Sequence, residues 1–275
     1  MPVISSLGNP RVADARKLRR KSYRDDTGRF LIEGCRAVAT ALRSSGEVVE
    51  IFLDSGASCE DEIRTLAGDS GTRTIEVTDR VLKAVADTAT PQGVVAVAER
   101  PIATLADVIE SSTLVLVAAG ISDPGNAGTL IRSAIAAGCG GVVFTGDAVD
   151  PFGPKTVRAA AGMVFAIPVV TESDAGATFQ ALRNAGLSLV GAAAGTTTSI
   201  TEVDLTGPTA LVVGNEAWGL SSEQRTVLDV VASIPMPGPA ESLNVGVAGS
   251  ILLFETVRQR AAAPSGRQGD PGHLS

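Results

Sequence analysis

The sequence predicts an α/β chain in two parts: a smaller N-terminal α/β unit, then a unit built on a parallel sheet. Three observations predict it. β-Rich apolar runs alternate with helical stretches over short connections, first up to residue 98 and again from residue 113. The alternation breaks at Glu99-Arg100-Pro101. The second series opens on Thr113-Leu114-Val115-Leu116-Val117-Ala118, a run suited to a strand buried on both faces.

Residues 9–24 predict one helix, with Asn9 as its cap and Pro10 at its first position. Arg16, Lys17, Arg19, Arg20, Lys21 and Arg24 crowd it. Gly28-Arg29 ends it, and residues 30–32 read as a short strand. Helices are expected over 35–44, 59–67 and 79–86, with strands over 48–53, 74–77 and 93–98. Residues 101–112 read as a linker with a short helical stretch. In the second series, strands are expected at 113–118, 141–145, 167–170, 187–193, 210–213 and 230–234. The helices between them fall at 127–137, 154–161, 174–185 and 221–228, with a long last helix at 243–260. From residue 261, Pro, Gly, Ser and Gln dominate and predict a disordered tail. The expected domains are therefore 1–102 and 113–262, joined by a linker at 103–112 and followed by a tail at 263–275.

Composition excludes much. The longest apolar run, 114–119, is six residues, where a membrane helix needs about 20. No signal-peptide pattern opens the chain. Cys35, Cys59 and Cys139 are odd in number and lack a Cys-x-x-Cys spacing, which argues against a disulfide framework and a zinc ribbon. Each is expected as a small buried residue in a reduced, cytoplasmic protein. The only histidine is His273, so the body holds no Ser-His-Asp triad, Cys-His pair or His-ligated metal. Net charge is −7, yet residues 1–43 carry ten basic and four acidic side chains. That segment suits a phosphate-bearing partner.

Three loops leave the C-terminal ends of expected strands, the edge where open α/β sheets bind ligands. The first holds Asn126, Gly128 and Arg132; Asn126 is expected to cap the following helix, and Gly128 to allow close backbone approach. The second runs Gly214-Asn215-Glu216-Ala217-Trp218-Gly219-Leu220, with two glycines around the only tryptophan. Glu216 there is placed to fix a hydroxyl or a cation. The third runs from Ile234-Pro235-Met236 to Ser242-Leu243-Asn244 and brings a hydroxyl and an amide to a helix start, where free N–H groups point outward.

Together these loops resemble the SpoU (TrmH-type) family of SPOUT methyltransferases, whose motifs run N-x-G-x-x-x-R, then G-x-E-x-x-G-L, then I-P-M followed by S-L-N. Asn126/Gly128/Arg132, Gly214/Glu216/Gly219-Leu220 and Ile234-Pro235-Met236/Ser242-Leu243-Asn244 meet each position. The resemblance covers residues 113–262. Gly28-Arg29-Phe30-Leu31-Ile32-Glu33-Gly34 and Pro91-Gln92-Gly93-Val94 also look like the family's substrate-binding domain, itself similar to RNA-binding ribosomal proteins. The resemblance implies S-adenosylmethionine as cofactor, ribose 2′-hydroxyls of structured RNA as substrate, a deep trefoil knot and a homodimer. It implies Arg132, Asn126, Glu216, Ser242 and Asn244 as catalytic residues. Gly214, Ile234 and Leu243 would contact the cofactor largely by backbone, with Ala193, Ala194, Val213 and Met236 nearby. No metal is expected. Arg16, Lys17, Arg19, Arg20, Lys21 and Arg24 would dock RNA. The separate N-terminal domain favours ribosomal over transfer RNA. A dinucleotide fold is disfavoured because Gly120, Gly125 and Gly128 have the wrong spacing, and Gly153-Pro154-Lys155-Thr156 is no phosphate loop. The remaining alternatives are a non-catalytic RNA-binding protein of the same fold and a transfer-RNA 2′-O-methyltransferase.

Overall fold

A computed structural model describes residues 3–44, 46–111 and 113–263. Most of the expected tail, with His273, lies outside the described residues. The N-terminal part contains helices α1 (Pro10–Lys17) and α2 (Lys21–Thr27), strand β1 (Arg29–Glu33), α3 (Cys35–Arg43), β2 (Val48–Asp54), α4 (Glu60–Ser70), β3 (Arg73–Val77), α5 (Asp79–Val85) and β4 (Val94–Glu99). Its strands form a mixed sheet in the order β1-β4-β2-β3. Helix α6 (Leu105–Ser111) occupies the expected linker, with Val108 buried and the Ser111 hydroxyl donating to the Gly140 carbonyl at 2.8 Å.

The second part follows as β5 (Leu114–Ala119), α7 (Pro124–Ala136), β6 (Gly141–Thr145), α8 (Pro154–Ala159), β7 (Val169–Glu172), α9 (Ala175–Asn184), β8 (Ser188–Ala192), β9 (Thr209–Val213), α10 (Ser222–Thr226), β10 (Val230–Ala232) and α11 (Val245–Ala262). Its six strands are all parallel, in the order β10-β8-β9-β5-β6-β7. Strands β5, β6 and β9 are buried along their whole length, as their unbroken apolar runs require. Successive strands move from β5 towards β7, then the chain crosses back to β8 and β9. Ligands in such sheets settle at that reversal.

The two parts share one continuous apolar core. Phe30 of β1 packs edge-on against Phe152 at 5.3 Å between ring centres, and against Phe165 at 5.6 Å.

Several expectations are corrected. The basic stretch 9–24 is two helices, not one. Asn9 caps α1 by accepting from Arg11 N–H at 3.0 Å, and Pro10 starts it. The helix then stops so that Leu18 enters the core, and the chain restarts at Lys21 after an extended Arg20. Arg24 closes this break. It is buried, donates from Nη1 to the Leu18 carbonyl at 2.8 Å, and grips Asp150 Oδ2 through Nη2 at 2.6 Å and Nε at 3.0 Å. Arg24 is therefore a clamp between the two parts and is not available to RNA. Arg24→Ala leaves Asp150 without its charge partner. A loss of about 3–5 kcal/mol is expected in denaturant unfolding, the size seen when one member of a buried pair is removed.

Cys35 and Cys59 form a disulfide, contrary to the expectation of three isolated thiols. Parity and spacing do not report proximity: the chain through β2 returns Cys59 beside the start of α3, with Cα atoms 5.9 Å apart. Cys139 alone is free; it is buried, and burial pushes its thiol up to about 12.

Candidate active site

Asp123, not Asn126, caps α7, because the helix starts one turn earlier than the apolar pattern indicates. Pro124 takes the first position and Asp123 Oδ1 accepts from Asn126 N–H at 2.8 Å. The Asn126 side chain is thereby freed, and it is buried. Its Nδ2 donates to Glu216 Oε1 at 3.1 Å, and its Oδ1 accepts from Asn244 Nδ2 at 2.8 Å. One amide thus ties the first motif to the other two.

Both ends of this relay are fastened. Asn244 caps α11: its Oδ1 accepts from Gly246 N–H at 2.9 Å and Val247 N–H at 3.2 Å. Those two N–H groups are consequently not free for a ligand. At the other end, the Glu216 carboxylate accepts from the Ser122 hydroxyl at 3.0 Å, Ser122 N–H at 3.1 Å and Asp123 N–H at 3.0 Å. Partial burial works against ionisation. The donors from Asp123, Asn126 and Ser122 outweigh it and bring Glu216 down to about 2. It is a fixed anion at neutral pH, with its acceptor positions largely taken, and is unsuited to proton transfer.

Glycine is required at two motif positions. A Cβ at Gly214 would lie 2.3 Å from the Gly219 carbonyl carbon, where the second loop folds back on itself. A Cβ at Gly128 would lie 2.4 Å from that of Ala159, so the close approach read from sequence is helix packing of α7 on α8, not ligand contact.

The loops after β8, β9 and β10 and the start of α11 surround one cavity of about 340 Å³. Ala193, Ala194, Val213, Gly214, Ile234, Met236 and Leu243 all line it, together with Glu216 and Ser242. Ser242 is exposed and makes no hydrogen bond among the described residues. Neither Asn126, which is buried, nor Asn244, which is exposed, lines it; they fasten the loops that do.

Arg132 does not line this cavity. It is exposed on α7, and its side chain makes no hydrogen bond or ion pair among the described residues. It borders a separate groove with Thr129, Met163 and Phe254 of α11. Of the basic set, Arg16, Lys17, Arg19, Arg20 and Lys21 are exposed. Lys17 lies 3.6 Å from Asp14, Arg19 4.0 Å from Asp87 and Lys21 2.8 Å from Asp25, while Arg16 and Arg20 have no ion pair among the described residues. Ser122 and Asp123, which anchor Glu216, were not singled out from sequence; the helix-capping pattern Asp123-Pro124 was the available signal. Among the described residues, no group of three or more His, Cys, Asp or Glu side chains is placed to hold a metal, and no helix is long and apolar enough to cross a membrane.

The chain is similar to known proteins along most of its length. Residues 113–254 match the SpoU rRNA Methylase family, and residues 9–96 match the MRM3-like substrate binding domain. The Bacillus subtilis protein named 23S rRNA (guanosine(2553)-2′-O)-methyltransferase RlmP is 35% identical over 92% of this chain and 98% of its own. The Streptomyces viridochromogenes 23S rRNA (uridine(2479)-2′-O)-methyltransferase is 34% identical over 87% of this chain and 86% of its own. A crystal structure of the SpoU methyltransferase AviRb from the same organism, in complex with AdoMet, superposes with a TM-score of 0.83 at 33% identity, covering 92% of this chain and 99% of that one. With its three motifs gathered at one sheet edge, this chain belongs to the SpoU rRNA methylase family.

Proposed function

We propose that this protein transfers a methyl group from S-adenosylmethionine to a ribose 2′-hydroxyl of ribosomal RNA. The observation that carries the reading is the Asn244–Asn126–Glu216 relay, which fastens three separate loops around one cavity. That cavity suits the cofactor. Its volume falls within the ~300–1,000 Å³ range of small-molecule sites, and Val213, Ile234, Met236 and Leu243 offer apolar wall to an adenine ring. The fixed Glu216 anion adds a negative field that favours a sulfonium cation. The cofactor supplies an electrophilic methyl group; everything else falls to the chain.

The chain's part is alignment and charge. Holding two reactants in line contributes up to ~7–11 kcal/mol to lowering the barrier. Ala193, Ala194, Gly214, Ile234 and Leu243 hold the cofactor. Glu216, Asn126 and Asn244 act as positioning residues, and exposed Ser242 is free to meet the ribose. Arg132 is no base, because a guanidinium offers only donors and no acceptor. It binds the adjoining RNA phosphate and stabilises charge developing on the 2′-oxygen, while the hydroxyl proton leaves to that phosphate or to water.

Because Arg132 does not line its own cavity, we propose that it serves the cavity of a second copy. Val247, Ile251 and Phe254 recur on one exposed face of α11, at 46%, 37% and 50% exposure, beside the groove that Arg132 borders. A homodimer covers that face and brings the arginine across. The family's trefoil knot is part of the proposal. The loop at 193–199 is already laced to β10 through Ala193 N–H to the Ala232 carbonyl and Ser233 N–H to the Thr198 carbonyl. The cytoplasm is proposed as the protein's location on the ground of the proposed ribosomal RNA substrate alone, since the Cys35–Cys59 disulfide removes the argument from unpaired cysteines.

The unit at 1–102 is proposed as the RNA dock, through Arg16, Lys17, Arg19, Arg20 and Lys21. Replacing Arg16, Arg19 and Arg20 together by Ala is expected to weaken RNA binding at every sequence. It should also flatten the salt dependence by about 0.7–0.9 in log–log slope per phosphate contact removed. An unchanged slope removes the dock. Calorimetric titration with S-adenosylmethionine, paired with methyl incorporation into unmodified 23S rRNA transcript, tests the whole reading. Absence of cofactor binding leaves an RNA-binding protein without catalysis.

A further inference from the structure

We infer that Trp218 is a stacking platform for the base of the nucleotide being methylated, an inference that rests on the function proposed above. Trp218 is the only tryptophan in the chain, and it is 86% exposed. Full exposure of the largest apolar side chain forgoes the burial that would stabilise it. The residue also lines the cofactor cavity.

The backbone beneath it is fixed. Asn215 and Gly219 exchange hydrogen bonds, Asn215 N–H to the Gly219 carbonyl at 3.0 Å and Gly219 N–H to the Asn215 carbonyl at 2.8 Å. Asn215 Oδ1 accepts from Ala217 N–H at 2.8 Å and Trp218 N–H at 3.3 Å, and its Nδ2 donates to the Gly120 carbonyl at 2.7 Å. The turn therefore presents the indole from a closed loop anchored to the end of β5. Gly219, at φ 65°, completes the turn in the left-handed region.

Arg225 lines the same cavity. It is exposed, donates from Nε to the Leu220 carbonyl at 3.1 Å, and has no acidic partner among the described residues. An aromatic face beside an unpaired guanidinium is the combination that holds single-stranded nucleic acid, the ring taking a base and the cation a phosphate. A ribose that reaches the cavity carries its base to the rim, where Trp218 stands. Every base has a π-face, so this contact holds an unpaired nucleotide without choosing its identity.

The lone tryptophan makes its own probe. With full-length protein and S-adenosylmethionine present, adding unmodified 23S rRNA transcript is expected to quench its fluorescence. Trp218→Ala is expected to raise KM for the transcript by about ten- to a hundredfold, with a smaller change in kcat. Because Trp218 also lines the cavity, calorimetric affinity for S-adenosylmethionine is expected to fall too, but by much less than the transcript KM rises: about threefold at most. Trp218→Phe should recover most of the KM, because a ring remains. Unchanged KM in Trp218→Ala overturns the inference. So does an equal loss of cofactor affinity, which would make the indole a cofactor wall. A wild-type protein that binds no S-adenosylmethionine overturns the proposed function and this inference together. A wild-type enzyme with normal turnover and an indifferent Trp218→Ala overturns the stacking alone.

Discussion

Arg132→Ala is expected to lower methyl transfer by about 10²–10³-fold, the loss seen when one preorganised charge-stabilising donor is removed. Affinity for S-adenosylmethionine should change little, because the role proposed for Arg132 is on the RNA phosphate and the 2′-oxygen and not on the cofactor. Arg132→Lys should rescue little, since a point charge does not replace a planar fork on a phosphate and an oxygen. The dimer adds a sharper expectation. Subunits carrying Arg132→Ala contribute a sound cavity, and subunits carrying Gly214→Ala contribute a sound arginine. Each protein alone is expected to be nearly inactive. Mixed dimers contain one site built from the two intact halves, so mixing after mild dissociation should restore activity. Restoration is measured as methyl incorporation into RNA. No gain on mixing, with mixed dimers verified by differently tagged subunits, would mean that Arg132 does not act across the interface.

The division between what was legible in the sequence and what was not follows sequence distance. Strands buried on both faces carry their signal locally, and 141–145 is read to the residue. The positions that line the cavity were implied by the family resemblance, carried over residue by residue, and not by spacing or fold class; Ala193 and Ala194 lie outside all three motifs. What failed depended on partners far along the chain. Arg24 looks like one more basic residue of a solvated helix; its partner Asp150 lies 126 positions away. The same clamp accounts for the break at Leu18, whose carbonyl Arg24 occupies. The Cys35–Cys59 bond is likewise a proximity that only the assembled sheet creates. The resemblance groups Arg132 with Asn126, Glu216, Ser242 and Asn244 as catalytic. Helix α7 carries Arg132 to a different groove, and the proposal that it serves a cavity at all now depends on a second copy. Asn126 shows the subtler limit. Its type was right for a cap, but Asp123 three residues earlier fills that role and turns Asn126 into the joint between motifs.

Asn126→Asp puts that joint to its most demanding test, since it changes little in shape and inverts one interaction. In the native protein, Asn126 Nδ2 faces Glu216 Oε1 at 3.1 Å. The substitution replaces this donor with an oxygen, so two carboxylates meet where one anion and one amide were. Glu216 already sits at about 2 and stays ionised. The introduced carboxylate must therefore take up a proton or repel it. Asn126→Ala provides the comparison: it removes the donor to Glu216 and the acceptor of Asn244 Nδ2, and since Asn244 is exposed to water the cost is about 1 kcal/mol per lost bond. At pH 8, Asn126→Asp should be the less stable of the two and should bind S-adenosylmethionine more weakly, because repulsion adds to the lost bond. The pH dependence has a definite sign. A carboxyl group whose folded pKa is raised above its unfolded value binds more protons folded than unfolded, so its destabilisation is present at high pH and fades as pH falls through the raised pKa. Melting temperatures and calorimetric affinities at pH 8 and pH 5.5 should therefore show Asn126→Asp gaining on Asn126→Ala at the lower pH. If the two variants keep the same separation at both, no anion confronts the introduced group. The relay through Glu216 would then not be what holds the three loops around the cavity.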